Sequence, residues 1–341
     1  FEMENFFEVL LSPVAISKFC HSTSSGFLLA SLFVISISSW FLLKKRHQEM
    51  AKRSILVASV FGLLSSGFVA FTGDEAAYTS AKVQPMKLAA FEGLYKGEES
   101  AGLVAMGLLS SNKEAMDGQD PFIFEIKVPG MLSLLANRKP GSFVPGIEDL
   151  LYGNEEHGIM GIDEKIIKGK SAVEQLALYK QAKKDNNDFG AQTALAMFRE
   201  NQEYMGFGYL NEPKEAVPPV PLTFYSFHVM VVLGSLFPVI CLAFLIFTAK
   251  NTIDKQKWLL PIGMVSFFLA HVAGQAGWIV AEVGRQPWTI QDLLPVSVAN
   301  SNLTTGTIQT TFFMFLVLFT LLLIAEIRIM LSQIKKGPEE I

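Results

Sequence analysis

A tryptophan, a glutamate and an arginine stand at 278, 282 and 285 in the run GWIVAEVGRQPW (277–288), which closes a long apolar segment. An ionisable group near the end of a membrane span is costly and usually has a task and a partner. The i, i+4, i+7 spacing puts Trp278, Glu282 and Arg285 on one helical face. His271 and Gln275 extend that face, so that His271, Gln275, Trp278 and Glu282 fall within roughly a 60° arc. Such a stripe serves either as an interhelical hydrogen-bond seam or as a line of groups facing a cofactor or a proton path. On the second reading Glu282 is a candidate metal ligand, and Trp278 is either a flat packing surface or an interfacial anchor.

Two further sites carry ligand chemistry. His21 lies in KFCHSTSSGF, and His228 and Met230 lie in FYSFHVMVVLG. Each motif sits at one end of an apolar segment and at the same depth as the other. That arrangement suits a haem held between two helices, because bundles build cofactor sites from facing side chains. His228 and Met230 are about 200° apart around a helix, so only one faces a given haem. His21–His228 and His21–Met230 ligation both remain open on local chemistry, the second giving the higher reduction potential. In GDEAAYTSAKVQPMKLAAFEG (73–93), Asp74 and Glu75 sit at the membrane surface, and Lys87 and Glu92 lie loosely on one side of a short helix. Such charges read as a solvated loop face or, more sharply, as a quinol site whose carboxylates take protons to the aqueous phase.

The elements that must position these groups are membrane helices. Among 341 residues half are hydrophobic and 28 are Phe, and the mean hydropathy is +0.35; a soluble domain needs neither. A net charge of −4 leaves no footprint for nucleic acid. Five segments, roughly 20–43, 54–73, 222–249, 258–282 and 305–329, reach the ~20 apolar residues that cross a bilayer as a helix. Three basic clusters flank them: Lys44, Lys45, Arg46, Lys52 and Arg53; Lys250, Lys255 and Lys257; Arg328, Lys335 and Lys336. The positive-inside rule places all three in the cytoplasm and turns 74–220 and 283–304 outward. The chain divides into 1–73 with two spans, the long loop 74–220, and 221–341 with three spans and a cytoplasmic tail. A loop of that length is expected to be functional. Within it SAVEQLALYKQAKK and AQTALAMFRENQEYM predict helices, FIFEIKV predicts a strand, 129–146 reads as Pro/Gly turns, and NEPKEAVPPVP (211–221) reads as a stiff return to the membrane. Cys20 and Cys241 read as small hydrophobes without disulfide or zinc spacing. The chain opens on Phe1 without a signal peptide, and is expected to be a fragment lacking its N-terminal part.

Taken together, KFCHSTSSG, GDE, VQPMKLAAFEG, GWIVAEVGRQPW and LLPVSVANSNLT (293–304) resemble subunit I of the cytochrome bd-type quinol oxidases across essentially the whole chain. The resemblance implies an all-α polytopic membrane protein in a bacterial cytoplasmic (inner) membrane, with five transmembrane helices and an extracytoplasmic quinol-binding loop between the second and third. It implies His21 and Met230 as axial ligands of a low-spin haem b, thereby favouring Met230 over His228. Lys87 and Glu92 would belong to the quinol-oxidising loop, with Asp74 and Glu75 near its base. Glu282, with Trp278 packed beside it, would serve a high-spin haem b or a haem d (chlorin). Arg285 would neutralise propionates or hold the quinol-side structure. The implied partners are ubiquinol or menaquinol, dioxygen, an oxidase subunit II, small single-helix subunits and membrane lipid. His228 stands where the family usually has an arginine, and could hydrogen-bond a propionate. The family's first four helices, with a further histidine ligand, have no counterpart in this chain. Two rival expectations are a non-catalytic transporter or receptor and a haem-b electron carrier that does not reduce oxygen.

Overall fold

Unbroken apolar runs become five long helices, because a buried or lipid-facing backbone must satisfy its own hydrogen bonds. The computed structural model describes residues 5–111, 113–301 and 303–338. A single turn, α1 (Phe6–Leu10), precedes α2 (Pro13–Leu43), α3 (Gln48–Val83) and the short α4 (Pro85–Glu92). The loop then forms strands β1 (Glu98–Glu99), β2 (Leu103–Leu109) and β3 (Phe122–Val128), helix α5 (Met131–Asn137), strand β4 (Phe143–Val144) and helices α6 (Ile147–Tyr152), α7 (Ile162–Lys184) and α8 (Asp188–Asn201). Helices α9 (Val220–Ala249) and α10 (Leu259–Val283), strands β5 (Trp288–Ile290) and β6 (Leu294–Pro295), and helix α11 (Thr305–Lys336) complete the chain. Helices α2, α3, α9, α10 and α11 are long and apolar enough to cross a membrane.

The membrane helices overrun the apolar windows expected from sequence. The second span continues to Val83, so Asp74 and Glu75 ride on α3 rather than in a loop beyond it. Its first turns also absorb Lys52 and Arg53, which leaves only residues 44–47 as the link to α2. Neither Gly73 nor the polar residues after it end the helix, because no Pro interrupts it and a neighbour supports it. The strand FIFEIKV is β3, paired antiparallel with β2, and both amphipathic stretches fall in helices α7 and α8. The stretch 129–146 is less turn-like than expected: MLSLLAN forms α5 between left-handed residues Gly130 and Arg138. Three two-stranded antiparallel sheets, β1–β4, β2–β3 and β5–β6, qualify the all-α expectation outside the membrane helices.

Two compact units emerge. One comprises the chain up to Gly26, Ser65–Leu236 and Ala270–Ala299; the other comprises Phe27–Leu64, Phe237–Leu269 and the chain from Asn300. In the second, Leu32, Ile35, Ile55, Phe244, Leu259 and Leu260 are fully buried, and Ser36 Oγ donates to Met264 O at 2.8 Å. Its basic residues converge: Lys52 Nζ donates to Asn251 Oδ1 at 2.9 Å, and Arg46 Nη1 donates to Lys335 O at 3.1 Å. The first unit holds two apolar clusters. One gathers Ala89, Ala90, Ile147, Leu151, Phe207, Phe224 and Trp288; the other gathers Leu88, Phe91, Leu94, Leu132, Val144 and Val280. Helix α4 contributes to both.

Candidate functional site

Helix α4 is short and has strong punctuation. Pro85 occupies its first turn, where a missing N–H costs nothing. Gly93 ends it at φ +66°, a left-handed position at which a Cβ would also meet the Phe122 ring. Every residue from Met86 to Glu92 is buried, including two charged ones. The methylene stem of Lys87 lies against Gly284, where a Cβ would come within 3.2 Å of Cγ. Burial lowers the Lys87 ammonium to about 8, the positive charges of Lys18 and Arg285 push the same way, and Glu282 opposes them. Glu92 is 1% exposed, and neither carboxyl oxygen makes a hydrogen bond. Burial raises it to about 8, offset only in part by the nearby Val104 amide. A charged carboxylate without partners costs several kcal/mol in such a place, so Glu92 is a neutral acid at pH 7. Five residues turn a helix by about 140°, and the two groups diverge accordingly: Lys87 toward the end of α10, Glu92 toward β2. The expectation that they share a side is corrected by this geometry.

The base of this loop is clamped. Arg138, at the left-handed end of α5, donates from Nη1 to Asp74 Oδ2 at 2.6 Å and from Nη2 to Glu75 Oε2 at 3.1 Å. Its guanidinium lies 4.8 Å from the centre of the Tyr78 ring, and Lys82 Nζ donates to Asn137 Oδ1 at 2.7 Å. Asp74, Tyr78 and Lys82 recur at i, i+4 and i+8 along α3, so one stripe receives the end of α5. Each ion pair is about half exposed and alone contributes at most about 1 kcal/mol; four contacts on one stripe fix a position.

His21 meets α3. Its Nδ1 lies 3.1 Å from Thr72 Oγ1, while that hydroxyl donates its single proton to Phe68 O at 2.8 Å. Thr72 therefore accepts from Nδ1–H, a contact of the kind by which outer partners orient ligating histidines. Gly73 makes the room, since a Cβ there would come within 3.3 Å of His21 Cε1. Met230 has its own glycine: a Cβ at Gly277 would come within 3.0 Å of its sulfur. Histidine and methionine together are a donor set that can hold a haem iron, and each glycine gives one of these side chains room to pack. His228 is committed elsewhere, with Nδ1 2.9 Å from Phe224 O and Nε2 2.9 Å from Val104 O. At least one ring N–H therefore anchors His228 to a backbone carbonyl.

On α10, Ala273, Ala276 and Val280 pack inward, and the stripe His271, Gln275, Trp278 and Glu282 lies exposed on the other side. His271 and Gln275 make no hydrogen bond among the described residues, so the stripe is not a seam within this chain. Trp278 is 62% exposed. Glu282 Oε2 accepts from Arg285 Nε at 3.0 Å and lies 2.9 Å from its Nη2, while Arg285 Nη1 donates to Trp288 O at 2.6 Å. Arg285 thus ties the stripe to Trp288, which is buried edge-on against Phe207.

The structure brings Lys87 to the Glu282–Arg285 pair and joins Asp74 and Glu75 through Arg138. It gives His21 and Met230 separate partners. Thr72, Tyr78, Arg138 and Glu148 escaped the sequence reading. Only Thr72, next to Gly73 and two residues before the acidic pair, left a legible signal.

Residues 1–338 match the family described as cytochrome bd terminal oxidase subunit I. The chain is 33% identical to cytochrome bd-II ubiquinol oxidase subunit 1 of Escherichia coli, over 99% of its own length and 65% of that protein's. It is 27% identical to cytochrome bd ubiquinol oxidase subunit 1 of Bacillus subtilis, over 99% and 60%. It shares the fold of the bd oxidase from Geobacillus thermodenitrificans at TM-score 0.68 and 21% identity, covering 98% of this chain and 61% of that one. The chain spans between about three fifths and two thirds of these relatives. A transporter or receptor is displaced by these matches: the chain is a multi-pass membrane protein of the cytochrome bd terminal oxidase subunit I family.

Proposed function

We propose that this chain forms the quinol-oxidising and electron-entry part of a cytochrome bd-type quinol:oxygen oxidoreductase in a bacterial cytoplasmic membrane. The observation that carries the reading is Glu92, a fully buried carboxyl without a hydrogen bond, on a helix that also buries Lys87. Oxidation of a quinol to quinone releases two electrons and two protons. A carboxyl at about 8 is matched to that proton transfer near neutral pH, because efficiency peaks when acid and operating pH are close. Lys87 holds and orients a quinol oxygen from the other side of α4. Arg138 keeps Asp74 and Glu75 in place at the loop base.

His21 and Met230 would hold low-spin haem b, and Glu282 with Trp278 a high-spin haem b or haem d. When bound, these haems supply the one-electron carriers between quinol and dioxygen. The convergence of Arg46, Lys52 and the ends of α9 and α11 into one basic cluster supports a cytoplasmic location for those ends. The loop then releases protons outside, while cytoplasmic protons supply water formation, and charge separates without pumping. A subunit II, small single-helix subunits and lipid would cover the exposed apolar faces.

The test is quinol-driven oxygen uptake by membranes carrying the whole oxidase, together with a reduced-minus-oxidised haem spectrum. Uptake that Glu92→Gln abolishes while the haem spectrum persists supports the reading. Absence of both uptake and haem in the wild type ends it; haem without uptake would leave an electron carrier.

A further inference from the structure

A cleft of about 490 Å³ opens beside Glu92, lined also by Tyr95, Val104, Lys113 and Glu148. We propose that this cleft is the proton exit of the quinol site, with Glu148 the carboxylate that relays protons from Glu92 and Lys113 the residue that positions it. The inference rests on the assignment of Glu92 to quinol oxidation.

The walls are built for this. Glu148 is buried; one oxygen accepts from Met116 N–H at 2.8 Å and lies 3.9 Å from Lys113 Nζ. Its second oxygen makes no hydrogen bond to described residues. The Lys113 side chain is 4% exposed, its ammonium sits 4.8 Å from the Tyr95 ring centre, and Tyr95 Oη donates to Lys113 O at 3.2 Å. Lys113 also ion-pairs with Asp117. That hydrogen bond holds the Asp117 carboxyl at about 2, so Asp117 is a fixed charge at neutral pH and cannot carry a proton. Of the other carboxylates in the lining, Glu98, Asp120 and Glu125 are exposed, and Glu148 is the buried one beside Glu92. At the outer rim stand Glu98, Glu125 and Lys127, with Lys127 Nζ 3.2 Å from Glu125. At ~30 Å³ per water, the volume accommodates on the order of ten waters in the space that Glu92 and Glu148 both line. The step is a proton transfer only: the Glu92 acid gives its proton through water to the Glu148 carboxylate, which passes it to the outer solution.

The experiment uses Glu148→Gln in the whole membrane-embedded oxidase, which keeps an acceptor for Met116 N–H. The expected result is a fall in quinol-driven kcat of at least about tenfold, with the quinol KM unchanged and a larger deuterium solvent effect. Oxygen uptake driven by tetramethyl-p-phenylenediamine, which gives electrons without protons, stays at the wild-type rate, and added formate partly restores the quinol rate. Lys113→Gln gives a smaller loss of the same kind. An unchanged quinol rate overturns the proposal, as does an equal loss with both donors, which marks a structural role. Should Glu92→Gln also be as active as wild type, the quinol assignment itself fails; an inactive Glu92→Gln beside a fully active Glu148→Gln removes the relay alone.

Discussion

Helix α4 and the polar stripe of α10 treat costly groups in opposite ways. Around α4, both ionisable side chains are enclosed by this chain's own residues, and Glu92 is left without a hydrogen bond. Along α10, His271, Gln275, Trp278 and Glu282 are exposed, and the one full charge is neutralised by Arg285. The difference teaches where the chain is self-sufficient. A buried acid without a hydrogen bond is tolerated only when the surroundings over-determine it, so the α4 site is preorganised by the chain itself. An exposed polar and aromatic stripe on a membrane helix is half an interface, whose other half comes from elsewhere.

The strongest test of that contrast lies at the ligands. His21→Ala and Met230→Ala should each abolish the low-spin haem b signal in a difference spectrum, because loss of an axial ligand removes the centre; a retained signal would show that the α2–α9 reading is wrong. Next in size, Glu92→Gln should lower quinol-driven turnover by about a hundredfold or more while the protein stays folded. The linkage has a definite sign. A carboxyl raised from 4.5 to about 8 favours the folded state's protonated form, so stability falls as pH climbs from 4.5 through 8 and levels beyond. Thermal melts across that window should show the slope in the wild type and not in Glu92→Gln. Thr72→Val should keep the haem yet reduce activity by about tenfold, since the histidine loses its orienting partner; an unchanged spectrum and rate would make the Thr72 contact incidental. The smallest effect belongs to Arg138→Ala, a rise of a few-fold in quinol KM, consistent with about 1 kcal/mol from exposed pairs. A change in kcat alone would place Arg138 in the chemistry rather than at the base of the loop.

Membrane helices were legible because hydropathy and length act locally, and the motif order carried the family. Their ends were not, because α3 continues through Gly73, Asp74 and Glu75 on support from Arg138, a residue 63 positions beyond Glu75. Lys87 and Glu92 could be picked out by spacing, and their divergence follows from it, but not what each faces, which depends on Gly284 and on β2. Glu148 and Lys113 read as ordinary surface charges, since only the folded loop turns them inward beside Tyr95. His228 attracted a ligand role by type alone; the backbone carbonyls of Phe224 and Val104 beside its ring come only with the fold.

The stripe on α3 carries one further consequence. Thr72, Asp74, Glu75, Tyr78 and Lys82 share one helical phase reference, so the partner of His21 and the anchor of α5 are geared together. Inserting a single residue after Gly73 would rotate every downstream anchor by about 100° while leaving Thr72 in place. Seven inserted residues would return the anchors nearly to their original bearing but lift them by about 10 Å. Length variation in this family should therefore be sparse between Gly73 and Val83 and freer at exposed loop tips such as 185–187, where no such gearing exists.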